Sequence, residues 1–363
     1  MRFVVGLVLV DAPHSALNMF GIDQSVPDRN ITRVKKFRRG RDQYPYVSPQ
    51  AWRYWWRETL RERFNWELSP LFREEKQVFT SANPVKYPDD DVFGYMRAYK
   101  VGNKNVSVTR VSPLKTTPLV SILPERSSVT VDEGFASRHE GDPVPYSQEF
   151  YSTILKGAFS LDLDSVGRFS ILDKSGFKNI LKAEEIPAGK GEEAKNIKSE
   201  FDEMTNLAKK LEVTISTQEW IMPSEIRKKR AVDTIKALKF IFGGAKLAQY
   251  LTDVSPKFII LAMVEGGINP FISGIFYEDK GEVKFDSNAL KSRILDLKEI
   301  FNPKTIYIGK DNGFMPEWNN DLSKLCEDAE LKNANFEIKL GTVGSAIEEF
   351  TKEIEQYYER VKS

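Results

Sequence analysis

The stretch Phe3–Val10, with the sequence FVVGLVLV, is short, apolar and rich in valine. Such a run is typical of a buried β-strand, so we expect one near the start of the chain. Downstream, Ser48-Pro49 combines a preferred N-cap residue with proline at the first helical position. A helix is predicted from there to about Phe64. Its packed face is predicted from apolar residues at helical spacing, which are Trp52, Trp55, Trp56 and Leu60.

The later apolar segments continue an alternation of strands and helices. They are predicted strands at Asp91–Lys100, Lys104–Ile122 and Phe150–Ile171, a helix from about Glu225 to Phe242 capped by Ser224, and a buried strand at Lys257–Val264. Without its insertions, this order is β-α-β-β-α-β, which predicts an α+β protein with a ferredoxin-like, RRM-type palm. The sheet of that fold is a common platform for RNA.

Large insertions interrupt this order, and we expect residues 1–363 to form a single palm that carries them. They are a long basic loop at 11–47, a finger-like insertion at 66–104, a polar excursion at 125–148 and a C-terminal α/β extension at 266–363. Glycine and proline in the polar excursion predict turns rather than long regular elements. The charged segment Ala183–Ser199 is predicted to be a surface loop. The extension is predicted to contain helices at about Ser287–Ile300 and Ser345–Arg360 and a strand at Thr305–Ile308.

The overall composition excludes several classes of protein. With 41% hydrophobic residues and a net charge of +1, the chain is an ordinary globular sequence and not a globally basic nucleic-acid binder. Its single cysteine, Cys326, excludes an intramolecular disulfide framework and a Cys-rich zinc site. Two histidines argue against a His-based metal site or a Ser-His-Asp enzyme. We expect a cytoplasmic protein without an export signal or a membrane partner, because no apolar run approaches the roughly 20 residues of a spanning helix.

The charge is nevertheless concentrated in one place. Residues 29–63 contain eleven basic and three acidic residues. Six of the basic residues, with one aromatic residue among them, fall within residues 33–41, and they are Arg33, Lys35, Lys36, Arg38, Arg39 and Arg41. Lysine and arginine interleaved with an aromatic ring suit phosphate neutralisation and base stacking, so this tract predicts contact with RNA or DNA. The alternative interpretation is a solvated charged loop.

Two further groups fit contact with a polyanion. Arg53, Arg57 and Arg61 recur every four residues and form one basic stripe on the predicted helix. Like charges at this spacing oppose each other unless phosphates, the neighbouring glutamates or apolar contacts of the arginine stems compensate them. In Gly243-Gly244-Ala245-Lys246 the glycines either let backbone approach a phosphate, assisted by Lys246, or end a helix. The Walker A spacing is absent.

Acidic groups and histidine provide weaker signals. The clusters Asp89–Asp91 and Asp162/Asp164 are able in principle to bind a metal or to act in acid–base chemistry, but solvated turns or strand faces are the preferred interpretation. Arg138 and His139 lie in the polar excursion and are candidates for nucleic-acid contact. No nucleophile, base and orienting group form a recognisable set. We therefore expect no catalytic site, no metal and no cofactor.

Several blocks resemble a known family when they are taken in order. They are Ser15-Ala16-Leu17-Asn18, residues 44–58 with the sequence YPYVSPQAWRYWWRE, Phe93-Gly94-Tyr95-Met96, Thr109-Arg110-Val111-Ser112-Pro113-Leu114, Gly243-Gly244-Ala245 and Asp253-Val254-Ser255-Pro256. The set is similar to the DevR/Cst-type CRISPR-associated proteins, the Cas-seven backbone subunits of type I-B Cascade. The resemblance covers roughly residues 1–265, and residues 44–58 are its most specific part.

The resemblance implies a palm with fingers and a thumb, for which residues 125–148 are the candidate thumb. It also implies copies arranged head to tail along a CRISPR RNA (crRNA), beside other Cascade subunits, with target DNA bound through the guide. Asn18, Arg110 and Lys115 join the predicted RNA contacts on this basis. Related subunits of other CRISPR types cleave RNA through a loop aspartate, so a nuclease using Asp23, Asp28 or Asp42 is the alternative function. Type I backbone subunits do not cleave, and we expect a non-enzymatic subunit.

Overall fold

A computed structural model describes residues 1–22, 31–74, 77–101, 104–137, 140–174, 176–186 and 191–361. Its strands are β1 (Arg2–Ser15), β2 (Met19–Ile22), β3 (Ile31–Val34), β4 (Lys36–Arg39), β5 (Asp42–Val47), β6 (Leu71–Glu74), β7 (Gln77–Thr80), β8 (Tyr95–Val101), β9 (Lys104–Arg110), β10 (Leu114–Thr116), β11 (Leu119–Ser121), β12 (Val129–Ala136), β13 (Val144–Asp162), β14 (Arg168–Ser170), β15 (Thr214–Ile215), β16 (Glu219–Ile221), β17 (Phe258–Glu265), β18 (Phe276–Asp279), β19 (Glu282–Phe285), β20 (Phe301–Lys310) and β21 (Glu337–Gly341).

The helices are α1 (Pro49–Phe64), α2 (Pro88–Phe93), α3 (Glu125–Ser128), α4 (Glu192–Lys210), α5 (Ser224–Lys236), α6 (Leu247–Tyr250), α7 (Ser287–Asp296), α8 (Asn319–Glu327), α9 (Ala329–Asn333) and α10 (Val343–Val361). Short 3-10 turns occur at Ala183–Glu185, Ala237–Phe240 and Pro316–Trp318. In the described part of the chain, no helix is both long enough and apolar enough to cross a bilayer.

The palm is an antiparallel sheet with the strand order β17-β1-β13-β11. β1 pairs with β13 on one side, from Phe3 opposite Asp162, and with β17 on the other, from Arg2 opposite Glu265. With α1 between β1 and β11, and α5 between β13 and β17, this is the predicted β-α-β-β-α-β arrangement. The α+β prediction is confirmed. β1 is apolar throughout its first half because both of its faces are covered.

Helices α1, α5 and α10 cover one face of the palm sheet, which we call the helical face. Ser48 caps α1 as predicted, since its Oγ accepts a hydrogen bond from the Ala51 amide at 3.3 Å. Trp52, Trp56 and Leu60 are buried in the core beneath α1, as the helical spacing predicted. The indole Nε1 of Trp56 donates to a backbone carbonyl in α5 at 2.8 Å, which links the two helices.

The other face is partly covered by the C-terminal extension. Residues 266–363 do not form a separate appendage, because β20 pairs with β17 and β21 pairs with β20, so they continue the palm sheet at its edge. The β18–β19 hairpin, α7 and α8 then pack over β1 and β17 in a second core. Phe258 of β17 lies at its centre against Trp318, with ring centroids 6.2 Å apart.

The prediction of a long loop at residues 11–47 is wrong. β1 continues to Ser15, and the described residues that follow form β2, β3 and the β4–β5 hairpin. β5 joins the palm through β11, and β3 runs parallel to the start of β13. These strands are short and lie at an edge of the sheet, so their hydrogen bonds depend on distant partners that local sequence does not reveal.

Four other predictions of secondary structure were wrong. Residues 88–93 form α2 instead of strand, because proline begins the helix and three aspartates occupy its first turn. Most of the predicted loop at Ala183–Ser199 belongs to the 3-10 turn and to α4. Ser224 does not cap α5; its hydroxyl donates to the Tyr358 carbonyl at 2.8 Å. The polar excursion contains α3 and a long hairpin of β12 and β13 in continuous register from Val129 to Ala136.

The finger-like region at 66–104 consists of the β6–β7 hairpin, α2 and the first part of the β8–β9 hairpin. It packs against α4, where Tyr95, Tyr99 and Ile197 form a small core of their own. Arg97 donates to Glu200 of α4 at 2.8 Å and lies over the Tyr99 ring at 4.5 Å. The missed helix α4 is therefore the support of the finger region.

A buried carboxylate joins the finger region to the palm. Asp91 of α2 is fully buried and forms ion pairs with Arg110 at the end of β9 and with Arg230 of α5, the latter at 2.7 Å. The amide of Gly167, in the turn after β13, donates to the same carboxylate at 2.9 Å. Arg230 also donates to the carbonyls that precede α2, at 2.7 and 2.9 Å. One side chain thus fixes four segments of the chain.

We expect Asp91→Asn to lower the free energy of unfolding by about 3–5 kcal/mol, because it leaves buried guanidinium groups without their anion. Chemical denaturation followed by circular dichroism measures this. The matched control is Glu203→Gln, which removes the exposed partner of Lys86 and should change stability by less than about 1 kcal/mol. Equal losses in the two variants would contradict the role given to Asp91.

Candidate nucleic-acid interface

The structure divides the basic tract into paired and unpaired cations. Lys36 belongs to the first group: its Nζ lies 2.6 Å from Glu125 Oε1 and 2.8 Å from Glu149 Oε1, and its side chain is 7% exposed. Glu149 is also buried, accepts the Val34 amide at 3.1 Å and lies 3.7 Å from Arg33. These carboxylates attach the tract to the base of the β12–β13 hairpin. Lys36 is therefore structural, which corrects its prediction as an RNA contact.

Lys35, Arg38, Arg39 and Arg41 form the second group. None of the four has an ion pair with a carboxylate among the described residues. Arg38, Arg39 and Arg41 are exposed at the end of the β4–β5 hairpin, and Lys35 is half-buried before it. An arginine or lysine without a carboxylate partner keeps its full charge available to an external anion. The predicted phosphate contacts are therefore possible at these four positions, because no carboxylate competes for their charge.

Asn18 lies at the junction between this tract and the glycine loop. Its backbone carbonyl accepts the Lys35 amide at 2.9 Å, and its side-chain Oδ1 accepts the Ser48 amide at 3.0 Å. The preceding carbonyl, of Leu17, accepts the Ala245 amide at 3.0 Å. Sequence positions more than 200 residues apart are thereby brought together, and exposed Lys246 lies one residue beyond that contact.

The glycine pair has a packing role that neither sequence interpretation included. Gly243 and Gly244 have φ angles of +147° and +115°, and they do not end a helix, because the preceding 3-10 turn stops at Phe240. A Cβ on Gly243 would lie 2.4 Å from Trp55 Cδ1, and one on Gly244 would lie 2.5 Å from Leu17 Cδ2. Glycine is required here so that the loop can approach α1 and the Asn18 junction.

The arginine stripe of α1 is occupied by contacts within the protein. Arg53 donates to the Phe93 carbonyl at 2.7 Å and to Ser112 Oγ at 3.0 Å, and burial lowers its pKa to about 10. Arg57 lies over the Phe93 ring at 4.4 Å, and burial lowers its pKa too. Arg61 forms ion pairs with Glu58, one helical turn earlier, and with the adjacent Glu62. Arg53 and Arg57 therefore connect α1 to α2, and contact of their remaining exposed surface with RNA stays a prediction.

The remaining predicted contacts have separate positions. Arg110 is buried against Asp91 and is a structural residue, which corrects its prediction as an RNA contact. Lys115 is exposed on β10, where its Nζ lies 5.9 Å from the centre of the Phe3 ring. Arg138 and His139 lie outside the described residues.

The acidic clusters have structural roles, and Asp164 is also partly exposed in a turn, as predicted for its pair. Asp89 and Asp90 are buried beside Asp91 and accept the amides of Ser69 and Asn83, both at 2.9 Å. Burial, followed by the charge of Asp90, raises the pKa of Asp89 to about 6. The Asp162/Asp164 pair closes the turn after β13 and binds the chain's first residues: Asp162 accepts Ser165 Oγ at 2.7 Å, and Asp164 accepts the Arg2 amide at 2.8 Å. Within the described ranges, no group of histidine, cysteine and acidic residues has the arrangement of a metal site.

Two groups in this region were missed at the sequence level. Glu149 pairs with Lys36 and Arg33 and so separates them from the unpaired cations of the tract. It lies in a strand segment whose long-range partners have no local signal in the sequence. Lys156 lies in the middle of β13, and a lone lysine in the run ILKGAF was the available clue. Its importance depends on which sheet face it occupies, which only the pairing of β13 with its neighbours reveals.

Comparison with known proteins establishes the class of this chain. Residues 10–284 match the family described as "CRISPR-associated negative auto-regulator DevR/Csa2", and the chain belongs to that family. Two solved structures, described as "CRISPR RNA-guided surveillance complex" and "CRISPR RNA-guided surveillance complex, pre-nicking", each contain a chain of similar fold. Both are 11% identical with a TM-score of 0.50, covering 97% of this chain and 99% and 100% of theirs. No match is found among curated proteins.

Replacing Gly243 tests whether the glycine pair packs or binds phosphate. We expect Gly243→Ala to lower stability by about 1–3 kcal/mol, because the new methyl meets Trp55 and the φ angle disfavours alanine. Thermal unfolding measures the loss. Gly313→Ala is the control, since a Cβ at Gly313 meets no atom within 4 Å. Unchanged stability with weakened RNA binding would instead favour backbone contact with phosphate.

Proposed function

We propose that this chain is a non-catalytic backbone subunit of a type I CRISPR effector complex, of which several copies bind the crRNA spacer along its phosphate backbone. The observation that carries the proposal is the set of unpaired cations, Lys35, Arg38, Arg39 and Arg41, beside the Asn18 junction. Membership in a CRISPR-associated family supports it. So does the fold shared with chains of RNA-guided surveillance complexes.

Phosphate contacts suit this role better than base contacts would. Lysine and arginine neutralise phosphates without regard to sequence, so one subunit accepts every spacer. The bases then remain free to pair with target DNA, and sequence is read by pairing alone. The position of the hairpin also fits, because β4 is the last strand of the sheet on this side and its arginines are exposed.

The β12–β13 hairpin is the proposed thumb. Phe135 and Tyr146 lie near its end and are 70% and 39% exposed. Exposed rings at the end of an extended hairpin are suited to pressing on a base or on a neighbouring subunit. We propose that the hairpin reaches over the guide toward the next copy, so that head-to-tail contacts produce an open filament beside other subunits of the complex.

Three loop aspartates are the groups that would make this subunit catalytic, and the structure describes one of them. Asp42 forms an ion pair with Arg126 at 2.5 Å, which occupies its carboxylate. Asp23 and Asp28 lie outside the described residues. The alternative is an RNA-cleaving subunit that uses one of these three groups. Guide cleavage by the purified protein with Mg²⁺, abolished by Asp→Asn changes at these positions, would favour the alternative.

The first test removes the free charges. We expect the combined changes Lys35→Ala, Arg38→Ala, Arg41→Ala and Lys246→Ala to weaken binding to all guide sequences equally. The log–log salt dependence should flatten by roughly 0.7 for each lost contact with single-stranded phosphate. Fluorescence anisotropy with labelled RNA over a salt series measures both effects.

A matched variant controls for net charge. Lys209, Lys210, Lys332 and Lys352 are exposed on α4, α9 and α10, and their change to alanine removes the same charge elsewhere. We expect that variant to bind RNA as the parent does. If the two variants lose affinity equally, binding is a diffuse charge effect and the tract is not the site.

The second test concerns assembly. Head-to-tail contacts on a linear guide should produce stepwise growth in mass as the guide is lengthened. Light scattering with guides of increasing length measures this, and Phe135→Ser should reduce the steps while leaving the circular dichroism spectrum unchanged. A fixed stoichiometry that is independent of guide length would contradict the filament.

A further inference from the structure

The palm sheet has a second surface on the side opposite the helical face. The C-terminal extension covers β1 and β17 there, and Asn269 marks the limit of the cover by donating at 3.0 Å to the carbonyls of Gly6 and Phe159. Beyond that limit, β11, β5 and β4 continue the sheet. We call this uncovered part the open face.

Strand register identifies the side chains of the open face. Lys156 of β13 lies opposite Val120 of β11, which lies opposite Tyr46 of β5. Residues directly opposite each other in an antiparallel pair point to the same side of the sheet. Alternation along β5 adds Tyr44, and its partner on β4 is Phe37. The neighbours of this row in sequence, such as Leu119 and Val47, are instead buried on the helical face.

The aromatic residues of the open face form one cluster. The Phe37 ring stacks on Tyr44 at 5.9 Å and meets the edge of Tyr46 at the same distance. Phe37 is 37% exposed, and the two tyrosines are half-buried, so each ring keeps part of its surface in solvent. Three partly exposed rings on adjacent strands form an aromatic platform, in which the Tyr46 ring stands nearly perpendicular to the Phe37 ring.

Lys156 places a positive charge beside this platform. It is half-buried, and no carboxylate or hydrogen-bond acceptor among the described residues is its partner. Burial lowers the pKa of Lys156, and the nearby charge of Arg39 lowers it further. A half-buried cation beside a second cation is unfavourable unless an anion joins them.

The carboxylates of this face do not supply that anion. Asp42 pairs with Arg126 at 2.5 Å. Asp11 lies on the same side of the sheet, because it is two residues after Leu9, which is the β1 partner of Lys156. The cation that acts on Asp11 is Lys257 and not Lys156. On the other flank Lys115 adds a cation, since it lies opposite Ser160 on the same side of the sheet.

We propose that the open face is a second binding site for single-stranded nucleic acid, with bases stacking on Phe37, Tyr44 and Tyr46 and phosphates held by Lys156, Arg39 and Lys115. In RRM-type sheets, aromatic residues on one face stack two or three bases. The span from β13 to β4 is three strand spacings, or about 14 Å, which suits a short segment of that size. The proposal goes beyond the guide-binding role. Arg39 is shared with the guide-binding set, but neither the guide-binding test nor the test below changes it.

The test uses the full chain and fluorescein-labelled six-nucleotide probes, oligo(U) and oligo(dT). The pair Tyr44→Leu with Tyr46→Leu should weaken binding about fivefold or more, the effect of losing one stacked base. Lys156→Met should weaken binding and flatten its log–log salt dependence by roughly 0.7, the effect of losing one contact with single-stranded phosphate. The controls are Lys352→Met and Tyr54→Leu, which change an exposed lysine of α10 and the exposed ring of α1. Comparing the two probes separates RNA from DNA as the ligand.

Stability provides a second readout for Lys156. Without nucleic acid, Lys156→Met should raise the midpoint of thermal unfolding, because it removes a half-buried charge that has no partner. The same variant should gain less from added oligo(U) than the parent does. A lowered midpoint would show that Lys156 has an internal partner and would overturn the proposal.

Other outcomes are equally decisive. Unchanged affinity of the open-face variants for both probes overturns the second site, even if the Lys35 variant set loses guide binding. Loss of filament growth with normal probe affinity would mean that the open face binds a neighbouring protein copy, which also overturns it. If only the open-face variants weaken binding, the second site stands and the guide-binding assignment fails.

Discussion

The buried carboxylate of Asp91 is the interaction on which the arrangement of palm and fingers depends. A buried charge is tolerated only when its partners are fixed in place, and here those partners come from β9, from α5 and from the turn after β13. The insertion at residues 66–104 is therefore held at a defined angle to the sheet. Arg53 and Arg57 add to this by anchoring α1 on the Phe93 end of α2.

Ion pairs within the protein also determine which cations remain available to a ligand. Lys36 forms an ion pair with Glu149, and Arg61 forms ion pairs with glutamates of α1, so these cations of the basic segment have partners within the protein. Among the described residues of this segment, Lys35, Arg38, Arg39 and Arg41 have no carboxylate partner and lie around the β4–β5 hairpin. A protein with a net charge of +1 can in this way present a strongly positive local surface.

Sequence alone predicted the features that depend on local chemistry. The buried strand at Phe3–Val10 and the capped helix after Ser48 have signals within a few residues, and their order defines the palm. The roles of Asp91 and Lys36 were not predictable, because each depends on partners up to 139 residues away. The helix at Glu192–Lys210 was missed because its charged residues are typical of loops as well as of exposed helices.

The most direct test of the central claim is lysine footprinting by acetylation and mass spectrometry, with and without bound guide RNA. Bound RNA should slow the labelling of Lys35 and Lys246 and leave that of exposed Lys209 and Lys352 unchanged. Lys36 should label slowly in both states, because its ammonium group is already enclosed by two glutamates. Protection of Lys209 and Lys352, with Lys35 and Lys246 unaffected, would contradict the account.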